Sequence, residues 1–290
     1  MNPRFANPAP RVGTAFTVVE LMVAVSVLSL IVVVLYNIFD NTQRAMRSNA
    51  AQVDVMEGGR AAVELISRDL EQMTELGLAG ATNFYVDSWS PPFLQSLPSP
   101  TNVISVRTNF QQELFFTSRF NKQGSGIGYR IVPALGVGSL YRYVDAVPAA
   151  FLTPNLLSSN FFRFANTNYP AVFQRVTDGV VHFRVTAFDS LGRPIEPYEP
   201  RVNWTNRYAA VFVTNELHAT WPRYVFTNSA VPASVEIELG ILEPYILERY
   251  RSMTNNRSVA TKYLARQAAR VHLFQQRIPV RSAPSLLPVR

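Results

Sequence analysis

Residues 16–39 read FTVVELMVAVSVLSLIVVVLYNIF, and this stretch decides how the rest of the chain must be understood. Between Leu21 and Phe39 there is no charged residue, and the strongly polar groups are Ser26, Ser29 and Asn37. At about 1.5 Å per helical residue the run spans roughly 28 Å, close to the hydrocarbon thickness of a bilayer. It reads as a helix that crosses a membrane once. Glu20 stands at its mouth, where a carboxylate costs a few kcal/mol unless it is paired or reaches the interface.

Upstream, residues 1–15 carry Arg4 and Arg11, no acidic residue, and Pro3, Pro8 and Pro10, which oppose a regular helix. This is the composition of a short basic leader. An ordinary secretory signal places small residues after its apolar core, whereas Gly13 and Ala15 lie before it here, so processing at Ala15 would leave the apolar run on the mature chain. Leader arginines on one side predict a cytoplasmic leader and an extracytoplasmic body, although Asp40, Arg44 and Arg47 on the far side reduce the asymmetry. Cleavage between Ala15 and Phe16 would create an ammonium group four residues from Glu20, able to pair with it within one chain or between neighbours in a low-dielectric bundle.

The segment Phe16, Thr17, Val18, Val19, Glu20, Leu21, Met22, Val23, Ala24 resembles the processing and methylation motif of type IV prepilins and type II secretion pseudopilins. The resemblance implies cleavage before Phe16 by a prepilin peptidase, N-methylation of Phe16, and a role for Glu20 in registering the subunit during assembly. Ala15 departs from the glycine usual before the cut but keeps its small size. The partners so implied are other pilin or pseudopilin subunits, the peptidase, an inner-membrane assembly platform and the lipid bilayer. The location implied is a single pass through the inner membrane, with the body outside the cytoplasm.

From Arg44 to Leu76 the chain keeps helix-forming residues and lacks proline, so the helix is expected to continue. Val63, Ile66, Leu70 and Met73 recur at spacings of three and four, with Val53 and Met56 extending the stripe, and Arg60, Glu64 and Arg68 lie on another face. Gly58 and Gly59 mark either a bend or close contact, or are simply tolerated. After Gly77 and Gly80, a proline-containing loop is expected up to Pro100. Beyond it lie short β-rich runs at residues 103–108, 113–118, 127–134, 140–144, 180–189 and 234–241. In the fifth, Val181, Phe183, Val185 and Ala187 alternate with His182, Arg184 and Thr186, as in a half-buried antiparallel strand. Residues 148–170 and 192–206 read as surface excursions, 244–251 and 258–270 as helices, and Val271, Leu273–Gln276 and Ile278 as a last strand.

The fold class expected is α+β: a long N-terminal helix, membrane-spanning and then soluble, packed on an antiparallel sheet as in pilins. The domains follow as a leader at 1–15, a membrane helix at 16–39, its soluble half at 40–77, a β-rich domain at 78–278 and a tail at 279–290. The body is also similar in order to J-type minor pseudopilins, with a helix ending near Arg68, Asp69 and Leu70. The same likeness covers an alternating strand after Asp178 and Gly179, and a strand at 234–241 after Pro232.

Signs of chemistry are sparse. The chain has no cysteine, which excludes disulfides and thiolate chemistry, and its three histidines, His182, His218 and His272, have no ligand spacing. Gly124, Gly126 and Gly128 form a GxGxG run without a following helix and read as a hairpin turn. Asp178 and Asp189 read as turn residues rather than calcium ligands. A net charge of +7, with Lys122 and Lys262 as the only lysines, is spread along the chain. No catalytic residue, metal or cofactor is expected. Two further functions stay open: a displayed module that binds nucleic acid or a surface, with Phe161, Phe162, Arg163, Phe164 or Arg207, Tyr208 stacking on bases, and a membrane-anchored enzyme.

Overall fold

A computed structural model describes residues 17–88, 92–97, 106–134, 136–166, 172–195, 211–214, 223–228, 230–253 and 255–281. The protein is α+β. Its first element, α1, is one α-helix from Val18 to Glu71. The chain divides into two compact units, Met1–Ala50 and Ala51–Arg290.

In the first unit every side chain from Val18 to Phe39 is exposed, so the apolar surface is unsatisfied on all sides of the helix. α1 is long and apolar enough to span a membrane. The serine hydroxyls of its apolar run are satisfied within the helix: Ser26 donates to Met22 O and Ser29 to Val25 O, both at 2.8 Å. Such back-bonding removes free polar groups from an apolar surface.

The second unit is built on a nine-stranded antiparallel sheet. Its strands are β1 (Thr82–Ser88), β4 (Gln112–Phe120), β5 (Gln123–Ala134), β6 (Val137–Pro148), β7 (Phe173–Phe188), β8 (Val211–Thr214), β9 (Arg223–Thr227), β10 (Ser234–Leu242) and β11 (Val271–Pro279). They lie in the order β11-β10-β7-β6-β5-β4-β1-β9-β8, and β2 (Phe93–Ser96) pairs with β3 (Val106–Asn109) as a separate ribbon. Helices α2 (Leu156–Asn166), α3 (Pro244–Ser252) and α4 (Arg257–Ala265) complete the unit.

The distal part of α1 packs on one face of the sheet. Val55, Val63, Ile66 and Leu70 of α1, with Met73 just past its end at Glu71 and so short of the residue 77 expected, join Phe84, Phe116, Tyr129, Phe183 and Ile237 in the main core. The stripe runs through Val55 and not Val53, which stays exposed, because a 3.6-residue period places residue 55, rather than 53, in line with Gly59 and Ala62. Gly59 is a close contact: a Cβ there would stand 2.2 Å from the Phe274 ring. One ionic clamp fixes the helix to the sheet. Arg142 on β6 donates from Nε and Nη2 to the two oxygens of buried Asp69, at 2.6 and 2.9 Å, and Tyr129 Oη donates to the same carboxylate at 2.5 Å. Those hydrogen bonds hold the Arg142 guanidinium above its ordinary pKa.

The opposite face carries α2 at one end and α3 with α4 at the other. The run Gly124, Gly126 and Gly128 is not a turn but the α2-facing side of β5. Added Cβ atoms would strike Leu152 at Gly124, Phe115 at Gly126 and Phe161 at Gly128. The β4–β5 turn falls just before it, at Asn121, whose φ is 54°. The expected surface excursion 148–170 therefore contains a helix whose Leu157 and Phe161 are core residues. Its serines and asparagines are weak helix formers, and packing decides the conformation.

Other sequence expectations change for related reasons. The expected loop before Pro100 contains β1 and β2; residues 83–86 are buried consecutively, so alternation is lost. In β7, Phe183, Val185 and Ala187 face the main core, but the register with β10 slips between His182 and Val180. Val181 is the extra residue of this bulge, so it joins Leu242, Ile246 and Leu264 in the cluster under α3 and α4. His182 is buried, not solvent-facing, because the β3–β4 connection crosses it. Beyond Val180, where pairing with β6 ends, the edge of β7 away from β10 is met by other pieces: Phe183 N–H donates to Phe110 O and Val185 N–H to the Gln112 side chain, both at 2.7 Å. The last strand reaches Pro279, and buried Val280 donates to Ala233 O.

Candidate assembly site at the head of the long helix

Thr17 and Glu20 form a reciprocal cap at the start of α1. The Glu20 carboxylate accepts from Thr17 N–H at 3.0 Å and from Thr17 Oγ1 at 3.1 Å, while Glu20 N–H donates back to Thr17 Oγ1 at 3.3 Å. This is a capping box, and it satisfies backbone donors that the first helical turn leaves without partners. Thr-x-x-Glu directly before an apolar run is legible in the sequence, so Thr17 is a residue that a reading centred on charge passed over. Negative charge in the first turn also complements the helix dipole.

Glu20 is exposed and is the sole charged residue of α1 before Asp40. Beyond it, Asp40 pairs with Arg44 at 2.8 Å, closing the apolar run with a surface ion pair. Ala15 and Phe16 lie outside the described residues.

The other sequence candidates do not converge on a site. His182 Nδ1 accepts from Phe110 N–H at 3.2 Å and its Nε2 faces Glu238 at 3.3 Å, while His272 lies 3.4 Å from Glu243. His218, Arg207 and Tyr208 fall outside the described residues. Asp178 accepts from Ser139 at 2.6 Å and pairs with Arg175 and Arg251, so cations already neutralise it. Asp189 accepts from the N–H groups of Leu191 and Arg193, which makes it a turn residue. Phe161 is committed to the core beneath α2. Among the described residues no group of three or more His, Asp or Glu side chains is placed to hold a metal ion. A cleft of about 330 Å³ between Gly58, Ala62 and Leu65 of α1 and Arg142 and Arg175 of the sheet presents guanidinium groups that already face Asp69 and Asp178.

Comparison with protein-family models, with curated protein sequences and with solved structures returned no match for this chain.

Proposed function

We propose that the protein is a minor subunit of a type IV pilus-like filament or of a type II secretion pseudopilus, with a pilin-like fold. The observation that carries this reading is the head of α1. One carboxylate, held by a Thr17–Glu20 cap, precedes an apolar helix exposed on every side, and the same helix continues without a break into the core of a sheet domain. A simple anchor needs the apolar run alone. An exposed apolar helix that begins with a fixed carboxylate suits a bundle in which each subunit's N-terminus meets its neighbour's.

In this reading a prepilin peptidase cuts between Ala15 and Phe16, and the new ammonium on Phe16 lies one residue from the N–H that Glu20 already accepts. Glu20 then neutralises that charge within the chain or exchanges it for a neighbour's during assembly. The body lies outside the cytoplasm and acts by contact, not by catalysis. Mass spectrometry of protein from cells that contain the peptidase is expected to find Phe16 at the N-terminus, bearing one methyl group. An intact leader on the membrane-inserted chain would overturn the reading.

A further inference from the structure

Three connections meet at one end of the nine-stranded sheet: residues 77–80 after α1, the β4–β5 turn with its flanking strand ends at residues 120–123, and residues 148–155 from the end of β6 to α2. Arg119 Nη1 donates to Leu76 O at 3.1 Å and Ala149 N–H to Lys122 O at 2.6 Å, and a Cβ on Gly124 would touch both Leu76 and Leu152. Phe120 and Phe151 project from this end, 76% and 73% exposed. Arg119 and Lys122 are exposed beside them, and none of the three loops contains Asp or Glu. Glu75, the carboxylate nearest in sequence to the first loop, is half-buried.

We propose that this end of the sheet is a contact surface for an anionic lipid bilayer. Rings exposed to this degree have no surrounding walls, so a rigid protein partner would need a separate socket for each. A bilayer interface deforms around isolated convex rings and takes aromatic side chains at headgroup level. The charge selects the lipid: each cation near an anionic surface strengthens binding about fivefold, and no carboxylate in these loops opposes it. Two modest signals, aromatic insertion and basic charge, together give a reversible contact. The inference is independent of the filament reading, since it rests on loops of the second unit alone and does not require processing.

The test uses the full chain held by its apolar helix in phosphatidylcholine nanodiscs, mixed with free vesicles of phosphatidylcholine alone or with phosphatidylglycerol. Flotation is expected to carry the nanodisc-borne protein with the phosphatidylglycerol vesicles only, less so as salt is raised. The double variant Phe120→Ser, Phe151→Ser is expected to lose about tenfold in capture, and Lys122→Glu severalfold, with unchanged melting because these side chains make no core contact. Absence of capture, equal capture by both vesicle types, or full capture by the double variant would each overturn the proposal.

Discussion

His182 sits between a backbone donor and an acid, and the geometry assigns its proton. Nδ1 accepts from Phe110 N–H, so in the neutral ring the proton is on Nε2, toward Glu238. Burial pushes the imidazole below its ordinary 6.5; Glu238 opposes the shift, while Arg107 and Arg184 reinforce it. A base with a depressed folded pKa takes up its proton more readily when unfolded. Its contribution is therefore complete above about pH 6.5 and is lost as pH falls below that value. Glu113 acts in the opposite sense: burial pushes its carboxyl up to about 7 despite Arg130 at 3.8 Å, so it favours the folded state as pH falls toward 4.5. The substitution His182→Asn keeps an acceptor for Phe110 but does not titrate. The difference in melting temperature between His182→Asn and the parent is expected to change in the variant's favour from pH 7.5 to pH 5, because Glu113 cancels in the comparison. A pH-independent difference would contradict this account. None of this was legible from period two along β7, because the pattern cannot show that a connection crosses the strand's second face. Thr17 was legible, since its spacing from Glu20 is itself the signal.

At the scale of elements, the helix that the sequence reads as one unit is one unit as far as Glu71, because no proline interrupts it and its apolar residues keep a helical period from Val55 to Leu70. What holds it to the sheet was not legible: Asp69, Arg142 and Tyr129 are far apart in sequence and meet only after β5 and β6 have paired. Asp69→Asn would leave a partly buried guanidinium without its counter-charge. Urea denaturation is expected to show a loss of about 3 kcal/mol, at the lower end for a broken buried pair because Arg142 reaches solvent. The glycine run was legible as special but misread as a turn, since glycine serves both a tight turn and the close approach of two elements. Phe161 stacks on Phe115 with ring centroids 5.3 Å apart, over the space a Gly128 side chain would fill. Gly128→Ala is expected to push Phe161 outward, cost about 1–3 kcal/mol and open residues 148–166 to proteolysis. Unchanged near-UV ellipticity and protease resistance in that variant would remove the steric reading of the run.

For the whole molecule, the two compact units obey different rules. Every side chain of α1 from Val18 to Phe39 is exposed, and the first buried core residue in the described chain is Val55. Among the described residues nothing before Ala51 thus contributes to the core, whereas α1 beyond it supplies Val55, Val63, Ile66 and Leu70 together with the Asp69 clamp. The first half of the helix presents apolar side chains all round and the second buries one stripe against the sheet, so the boundary between them is chemical rather than a break in secondary structure. Removing residues 1–50 should therefore delete the apolar surface without touching the core. The fragment 51–290 is expected to stay soluble without detergent and to unfold cooperatively, within a few degrees of the full chain, since only the exposed first turn after residue 50 would fray. A cut after residue 66 makes the contrast, because it removes Val55, Val63 and Ile66 from the core and should abolish cooperative unfolding. Thermal melts of the two fragments against the full chain in detergent distinguish the outcomes. If the 51–290 fragment aggregated or melted without cooperativity, the first half of α1 would have a structural role that its exposed side chains give no sign of.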